Sequence, residues 1–351
     1  MDEERPQGEA PDDEGAAGLQ DDVMWLPGPG EEPEGGPPRD DILPDDALVD
    51  GTLQGGGAVA AVDAAIVERR RPKMRTLYWR RLKKRPAALV GLVIFCIFLF
   101  LAIFGPWIAP YDYTAQDVAL RLKPPSLSHP FGTDGFGRDV FSRVVAGTRN
   151  VFLLGGIGTV LAALFGTAIG LVSGYAGGWT DEIIMRLLDV LLSFPSLLLA
   201  LVLISMVGPS NVNLVIVVTV LYTPMIARVV RSMVLDLKSK EFVEAAKVRG
   251  EKRSYLLFRE ILPNSLPPLF VEMSMRFSYS IFLVASLGYL GLGVQPPSPD
   301  WGLQIRDAQQ LLSIAPWTLL FPAATIALLI ISTSLMSDGL RQVMLPGGGR
   351  R

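Results

Sequence analysis

The chain has 351 residues, of which 50% are hydrophobic and 19% are charged, and its mean hydropathy is positive. This composition excludes an ordinary soluble protein of this size and indicates a membrane protein. The chain has one cysteine, Cys96, and one histidine, His129, which excludes an intrachain disulfide and a paired Cys/His metal site.

The net charge of -3 hides a strong asymmetry along the chain. Residues 1–65 contain 18 of the 35 acidic residues but only Arg5 and Arg39 among the 32 basic ones. Because this acidic tail is also rich in Gly and Pro and poor in large apolar side chains, we expect it to be disordered. Residues 66–86 reverse the sign and form a basic juxtamembrane segment, which the positive-inside rule places in the cytoplasm.

Six apolar runs predict six transmembrane helices and an all-α polytopic membrane protein. We expect the first helix at 87–109, an external loop at 110–150, and a core domain at 151–340 that contains five more spans. The last residues, 341–351, would form a cytoplasmic tail, so both termini would lie in the cytoplasm. Pro195 and Pro224 are expected to interrupt the third and fourth spans. Three glycines at four-residue spacing are expected to pack against the chain's own helices rather than against a second copy; these are Gly166, Gly170 and Gly174.

The most basic connection is the predicted cytoplasmic loop 231–270. Its centre predicts a short helix whose one side carries Phe242, Ala245, Ala246 and Arg249, with Gly250 as a left-handed residue after its end. A second amphipathic turn should follow and stop at Pro263, because proline disfavours helix for the residue before it. An ordinary interfacial loop is the alternative interpretation.

The spacing of residues in this loop resembles a known motif. Glu244, Ala245, Ala246 and Gly250, followed by Ile261, Leu262 and Pro263, are similar to the EAA motif in the membrane subunits of ABC importers. The resemblance implies that the first helix is a coupling helix, which docks into a groove on a cytoplasmic ATPase subunit. Glu260 departs from the motif, which usually has an aliphatic residue there.

Further blocks between about residues 78 and 346 resemble the C-type permease of dipeptide and oligopeptide (peptide/nickel) importers. They are Ile108-Ala109-Pro110-Tyr111, His129-Pro130-Phe131-Gly132-Thr133-Asp134 with Gly137-Arg138-Asp139, Gly174-Tyr175 with Gly177-Gly178-Trp179, and Leu290-Gly291-Leu292-Gly293 running on to Asp300-Trp301-Gly302. The resemblance implies the type I permease fold and import of short peptides by alternating access across the bacterial inner membrane. It also implies a second permease subunit in a heterodimer, two cytoplasmic ABC ATPases that hold ATP and Mg, and an extracytoplasmic solute-binding protein.

Several chemical motifs are missing from the sequence. It has no G-x-x-x-x-G-K-[ST] phosphate loop and no credible nucleophile and base pair, so we expect a non-catalytic subunit that binds no cofactor itself. No span carries the buried acids of a proton relay, which argues against an ion-coupled secondary transporter. The alternatives left open are nickel chelates, glutathione or oligosaccharides as cargo, a secondary transporter, and a scaffold whose acidic tail is the working part.

Three groups of charged residues are candidates for function or for local pairing. Glu272 and Arg276 are four residues apart within the fifth span, where they predict a helix-face pair and a gating role for Arg276. Arg186 and Asp189 are expected to pair on the third span. In the external loop, Asp134, Arg138 and Asp139 are candidate contacts for the solute-binding protein or the partner permease, and a loop that merely caps the helices is the alternative.

Overall fold

The structure is a computed structural model that describes residues 85–344. The predicted acidic tail at 1–65, the basic segment up to residue 84 and residues 345–351 of the predicted tail lie outside the described residues.

Nine helices form the described part, which contains no β-strand and one isolated bridge between Thr133 and Asp139. The helices are α1 (Pro86–Ile108), α2 (Val140–Ala176), α3 (Gly178–Leu192), α4 (Ser196–Val207), α5 (Asn211–Lys238), α6 (Glu241–Val248), α7 (Arg253–Tyr289), α8 (Trp301–Ala308) and α9 (Trp317–Met344). Short 3₁₀ turns occur at Val118–Leu120 and Gln309–Leu311.

Five of these helices are long and apolar enough to cross a membrane, namely α1, α2, α5, α7 and α9. Together α3 and α4 meet the same test as one broken span, which gives six crossings. The all-helical polytopic fold is therefore confirmed. We call the end of the bundle that holds residues 239–252 the α6 end, and the end that holds residues 109–139 and 290–316 the α8 end.

The third span is not the continuous helix that the sequence predicts. The axes of α3 and α4 differ by 88° across a break at residues 193–195. Pro195 has no N–H to donate, and it disfavours a helical conformation for the residue before it. Ser193 ends α3 by donating its N–H to the carbonyl of Asp189 (2.9 Å) and its hydroxyl to that of Val190 (2.7 Å). By contrast, Pro224 lies inside α5 without ending it, so the predicted interruption of the fourth span is wrong.

The predicted loop boundaries also change. The helix α2 begins at Val140, so the connection predicted at 110–150 ends at residue 139. The predicted loop 231–270 shrinks because α5 continues to Lys238 and α7 already begins at Arg253. At the α8 end, the structure adds the short helix α8, which the sequence analysis did not predict.

The glycines of α2 face α5, as predicted. A Cβ atom added at Gly166 would lie 2.9 Å from the Ile226 side chain, and one at Gly170 would lie 2.6 Å from the Ala227 carbonyl oxygen. At Gly174 the nearest atom, on Val234, would be at 2.8 Å. Since real Cβ atoms do not approach this closely, the glycines are required for the contact between the two helices.

Candidate coupling surface and transport groove

The short helix α6 ends in the way that the sequence predicts. Its last turn is closed by hydrogen bonds from the N–H of Gly250 to the carbonyl of Lys247 (2.9 Å) and from the N–H of Glu251 to that of Ala246 (3.2 Å). Gly250 has φ +79°, and a Cβ atom there would meet no other atom within 4 Å. Glycine is therefore favoured at this position by backbone conformation rather than by space.

Two apolar side chains fix α6 to the bundle. Val243 and Ala246 are 0% exposed and belong to the same core cluster as Leu256 and Ile261 of α7. The predicted face was therefore wrong in part, because Ala246 faces inward with Val243 rather than outward with Ala245. Burial of two small apolar side chains orients the helix and leaves the rest of its surface free.

The opposite face of α6 is open to contact. Glu244, Ala245 and Gly250 are exposed, and Phe242 and Val248 leave 40% and 89% of their surface uncovered. Exposed apolar residues beside charged ones on a short helix are typical of a surface that binds another protein. In the second half of the predicted motif, Ile261 is buried, Leu262 is half-buried and Pro263 is exposed.

The predicted stop at Pro263 is wrong, because α7 continues through it. Residues Leu256–Ile261 form a π-helical stretch directly before Leu262–Tyr289. A wider π turn relieves the clash that a proline ring causes with the preceding turn of an α-helix. The Asn264 side-chain amide donates to the carbonyl of Glu260 at 2.5 Å, which satisfies one acceptor in this irregular turn.

The predicted pair of Glu272 and Arg276 is confirmed. Arg276 Nε donates to Glu272 Oε1 at 2.6 Å, and Nη2 lies 2.5 Å from the same oxygen. Glu272 is buried, whereas the Arg276 side chain keeps 19% of its surface exposed. A third contact runs from Nη1 to the Met225 sulfur at 3.1 Å, and the guanidinium lies 5.6 Å from the Tyr279 ring.

Arg276 lines a half-open groove of about 610 Å³. The groove runs between α4, α5, α7 and α9, and its other lining residues include Ser196, Tyr222, Tyr279, Phe282, Ser334 and Asp338. The sequence analysis did not identify the contributions of α5 and α9. For α9, the polar residues Ser334, Ser337 and Asp338 at helical spacing in an apolar span were the available signal.

The residues at 129–139, which we call the 129–139 segment, fold back on themselves. Asp139 is buried, caps α2 by accepting from the N–H of Ser142 (2.7 Å), and lies 2.9 Å from Nδ1 of His129. Asp134 accepts from Nε of Arg138 at 2.7 Å. The three predicted contact residues are thus engaged with the chain itself.

Two ion pairs join α3 to α5, and a third lies within α3. Arg231 Nε donates to Asp181 at 2.5 Å, and Arg228 donates to Asp189. Arg186 lies 3.7 Å from Glu182, so its predicted pairing with Asp189 is wrong. Within residues 85–344, no group of three or more His, Cys, Asp or Glu residues could hold a metal ion.

Comparison with known proteins places this arrangement in a family. Residues 166–346 match the binding-protein-dependent transport system inner membrane component family, and residues 75–125 match the N-terminal transmembrane domain of oligopeptide transport permease C.

Similar proteins include a dipeptide transport system permease protein of Alkalihalophilus pseudofirmus, 42% identical over 76% of this chain and 88% of the relative. A probable D,D-dipeptide transport system permease protein of Escherichia coli is 38% identical over 78% and 91%. A glutathione transport system permease protein of Pectobacterium atrosepticum is 39% identical over 77% and 90%. A family match over half of the chain, together with such identities over most of it, shows that this multi-pass membrane chain belongs to the permeases of binding-protein-dependent ABC importers.

Proposed function

We propose that this chain forms half of a translocation pathway for short peptides, driven by separate ATPase subunits. The observation that carries the proposal is the half-open groove of about 610 Å³ around Arg276, whose open side a second permease would cover. Peptides as cargo are supported by the names of the dipeptide permeases that are 42% and 38% identical.

The proposed assembly contains a second, distinct permease, two cytoplasmic ABC ATPases and an extracytoplasmic solute-binding protein. In this assembly, ATP and Mg are bound by the ATPases, and the chain itself is non-catalytic and binds no cofactor. We place it in the bacterial inner membrane with both termini and the α6 end in the cytoplasm. The many Lys and Arg residues between 238 and 259 support this orientation.

The proposed coupling site is the exposed face of α6 with the adjoining turn of α7. Its residues are Glu244, Ala245, Ala246, Gly250, Ile261, Leu262 and Pro263. Glu244 and Ala245 would contact the ATPase, while Ala246 and Ile261 transmit force because they are buried in the core cluster shared by α6 and α7. Since Arg276 lies on the same helix as Ile261, displacement of α6 would move one wall of the groove and alternate its access.

We propose that Arg276, neutralised by Glu272, gates this groove. Replacing Arg276 with Met keeps the length of the side chain but leaves the buried Glu272 without its partner, which is costly in a membrane interior. We expect uptake to fall at least tenfold while the complex still assembles. The measurement is peptide uptake into proteoliposomes, with Glu272→Gln plus Arg276→Met as the matched control for the unpaired acid. Unchanged uptake by both variants would contradict a gating role for Arg276.

For the 129–139 segment, we propose a supporting role in docking the solute-binding protein. Asp134, Arg138 and Asp139 hold the segment from within, and the Arg138 guanidinium lies 4.6 Å from the ring of Phe136, which is 53% exposed. Phe136 rather than the charged residues would then touch the partner.

The deciding experiment is purification of the chain from its native membrane in mild detergent, with identification of the proteins that accompany it. ATPase activity is then assayed with the solute-binding protein and added peptides. We expect a second permease and ATPase subunits to co-purify, and peptides to stimulate ATP hydrolysis. A chain that purifies alone and without ATPase activity would instead support a secondary transporter or a scaffold.

Replacing Gly250 with Val tests the coupling site in the same assay. A β-branched residue at φ +79° costs about 1–2 kcal/mol and misdirects α6. We expect ATP-driven uptake to fall about tenfold or more through lost docking or uncoupling. Gly250→Asn is the matched control, because Asn tolerates the left-handed region. Normal coupled uptake by the Val variant would contradict this assignment.

Glutathione is the second candidate cargo, because one relative with that name is 39% identical over 77% of this chain. Stimulation of the ATPase by glutathione but not by dipeptides would favour it. Nickel chelates and oligosaccharides are further candidate cargoes, which the same ATPase-stimulation assay can test.

A further inference from the structure

The two charged side chains of the groove differ in how they are paired. Among the lining residues, Arg276 is the one basic residue and Asp338 the one acidic residue. The positive charge of Arg276 is balanced by Glu272 at 2.5 Å, and Glu272 is buried behind it. The pair therefore presents little net charge to a solute in the groove.

Asp338 has no such balance. Its side chain is exposed in the groove, and no Lys or Arg nitrogen within residues 85–344 lies within 4.0 Å of its carboxylate. It lies eight residues after Ile330 and four after Ser334, so the three residues share one face of α9. Within residues 85–344, the groove thus has one acidic side chain without an ion-pair partner, toward the α6 end.

The surroundings strengthen this charge rather than dilute it. Apolar and weakly polar side chains such as Phe282, Leu283 and Met275 form much of the remaining lining, and such walls screen a charge less than water does. Arg341, three residues further along α9, is the basic residue in the last turn of this helix, and its guanidinium lies more than 4.0 Å from the Asp338 carboxylate.

We propose that Asp338 is a specificity-determining residue that selects cargo carrying a positive charge, an ammonium or guanidinium group, and disfavours cargo with net negative charge. The inference rests on the proposed function, because it names the class of peptide that the groove passes. An ammonium group would pair with the Asp338 carboxylate on its way toward the α6 end. A carboxylate on the cargo would meet a like charge that has no counter-ion beside it.

The test is uptake of three labelled dipeptides, Ala-Lys, Ala-Ala and Ala-Glu, into proteoliposomes that hold the complete complex. Wild-type and variant complexes receive the same solute-binding protein, so its own preferences cancel when the variant is compared with the wild type. Asp338→Asn should lower the Ala-Lys to Ala-Glu uptake ratio about tenfold, which corresponds to about 1.4 kcal/mol. Asp338→Glu should keep the wild-type ratio.

Two further variants make the outcome decisive. Glu182→Gln removes the same charge from α3 at an exposed position outside the groove lining, so its ratio should not change. Ser334→Lys places a positive charge on the groove face one turn from Asp338, and it should lower the ratio even where Asp338→Asn fails to assemble. If the Asp338→Asn complex assembles and its Ala-Lys to Ala-Glu uptake ratio equals that of the wild type, the inference is overturned. If that complex does not assemble, a wild-type ratio in Ser334→Lys overturns it. A wild-type complex that imports none of the three dipeptides would instead refute peptide import itself.

Discussion

Two charged segments at opposite ends of the bundle, α6 and the 129–139 segment, use their charges in opposite ways. In α6, Glu244 and Lys247 are exposed, and the buried residues that anchor the helix are Val243 and Ala246. In the 129–139 segment, the carboxylates of Asp134 and Asp139 are bound by groups of the chain itself.

The difference follows from the apolar residues around each group of charges. The two buried residues of α6 are three apart, so they lie on one face and can anchor the helix without help from its polar side chains. The 129–139 segment turns too tightly to form a helix, and its buried backbone groups need side-chain partners. Charge density alone therefore does not identify a binding surface.

The largest effect on stability should come from Asp139→Ala. This change removes the cap of α2, worth about 1 kcal/mol, and leaves the buried His129 without its partner, worth about 1–3 kcal/mol. We expect a loss of about 3 kcal/mol, measured by thermal unfolding in detergent. Glu244→Ala at the exposed face of α6 is the control and should change stability by less than about 0.5 kcal/mol. Equal effects of the two changes would contradict the comparison.

Adjacent alanines in α6 should respond differently to the same enlargement. Ala246→Leu adds volume to a fully buried site and should cost about 1–3 kcal/mol of folding stability. Ala245→Leu should leave stability nearly unchanged, because Ala245 is exposed, while weakening the proposed ATPase contact. The measurements are thermal unfolding of the chain and co-purification of the ATPase. A stability loss at Ala245 as large as that at Ala246 would show that the face is wrongly assigned.

The smallest effect should be a pH dependence at the α8 end. Burial raises the pKa of the Asp300 carboxyl from 3.8 to about 6, although N–H groups of Leu303, Val294 and Gly302 partly oppose this. An acid with a raised pKa in the folded state stabilises the fold most at low pH, and that stability is lost as pH rises through about 6. We expect a decrease of about 1 kcal/mol in the free energy of unfolding between pH 5 and pH 8. Asp300→Asn, which can still accept the Leu303 N–H, should remove this part of the pH dependence; an unchanged profile would contradict the raised pKa.

Much of the fold could be predicted because its signals are local. Apolar runs gave α1 to within one residue at each end, and the left-handed conformation of Gly250 follows from the helix that precedes it. The pair of Glu272 and Arg276 was predictable for the same reason, since both residues lie on one turn of one helix.

The features that were missed depend on contacts between distant parts of the chain. The partner of Asp189 is Arg228 on another helix, and no spacing within α3 reveals this. Ala246 is buried because it packs in one cluster with residues of α7, which are distant from the helix pattern of α6. The groove is likewise lined by residues from four helices. The predicted helix end at Pro263 was wrong because the rule that proline ends a helix assumes an α-helix, whereas the turn before Pro263 is π-helical.

The glycine contact between α2 and α5 has a mechanical consequence. With 37 residues, α2 is about 55 Å long, and at Gly166, Gly170 and Gly174 its backbone contacts α5 with no side chain of its own in between. The two helices should therefore move as a single stiff rod. Because α6 follows directly after the end of α5, a push on α6 would reach the cap at Asp139 on the far side of the membrane as a rigid displacement.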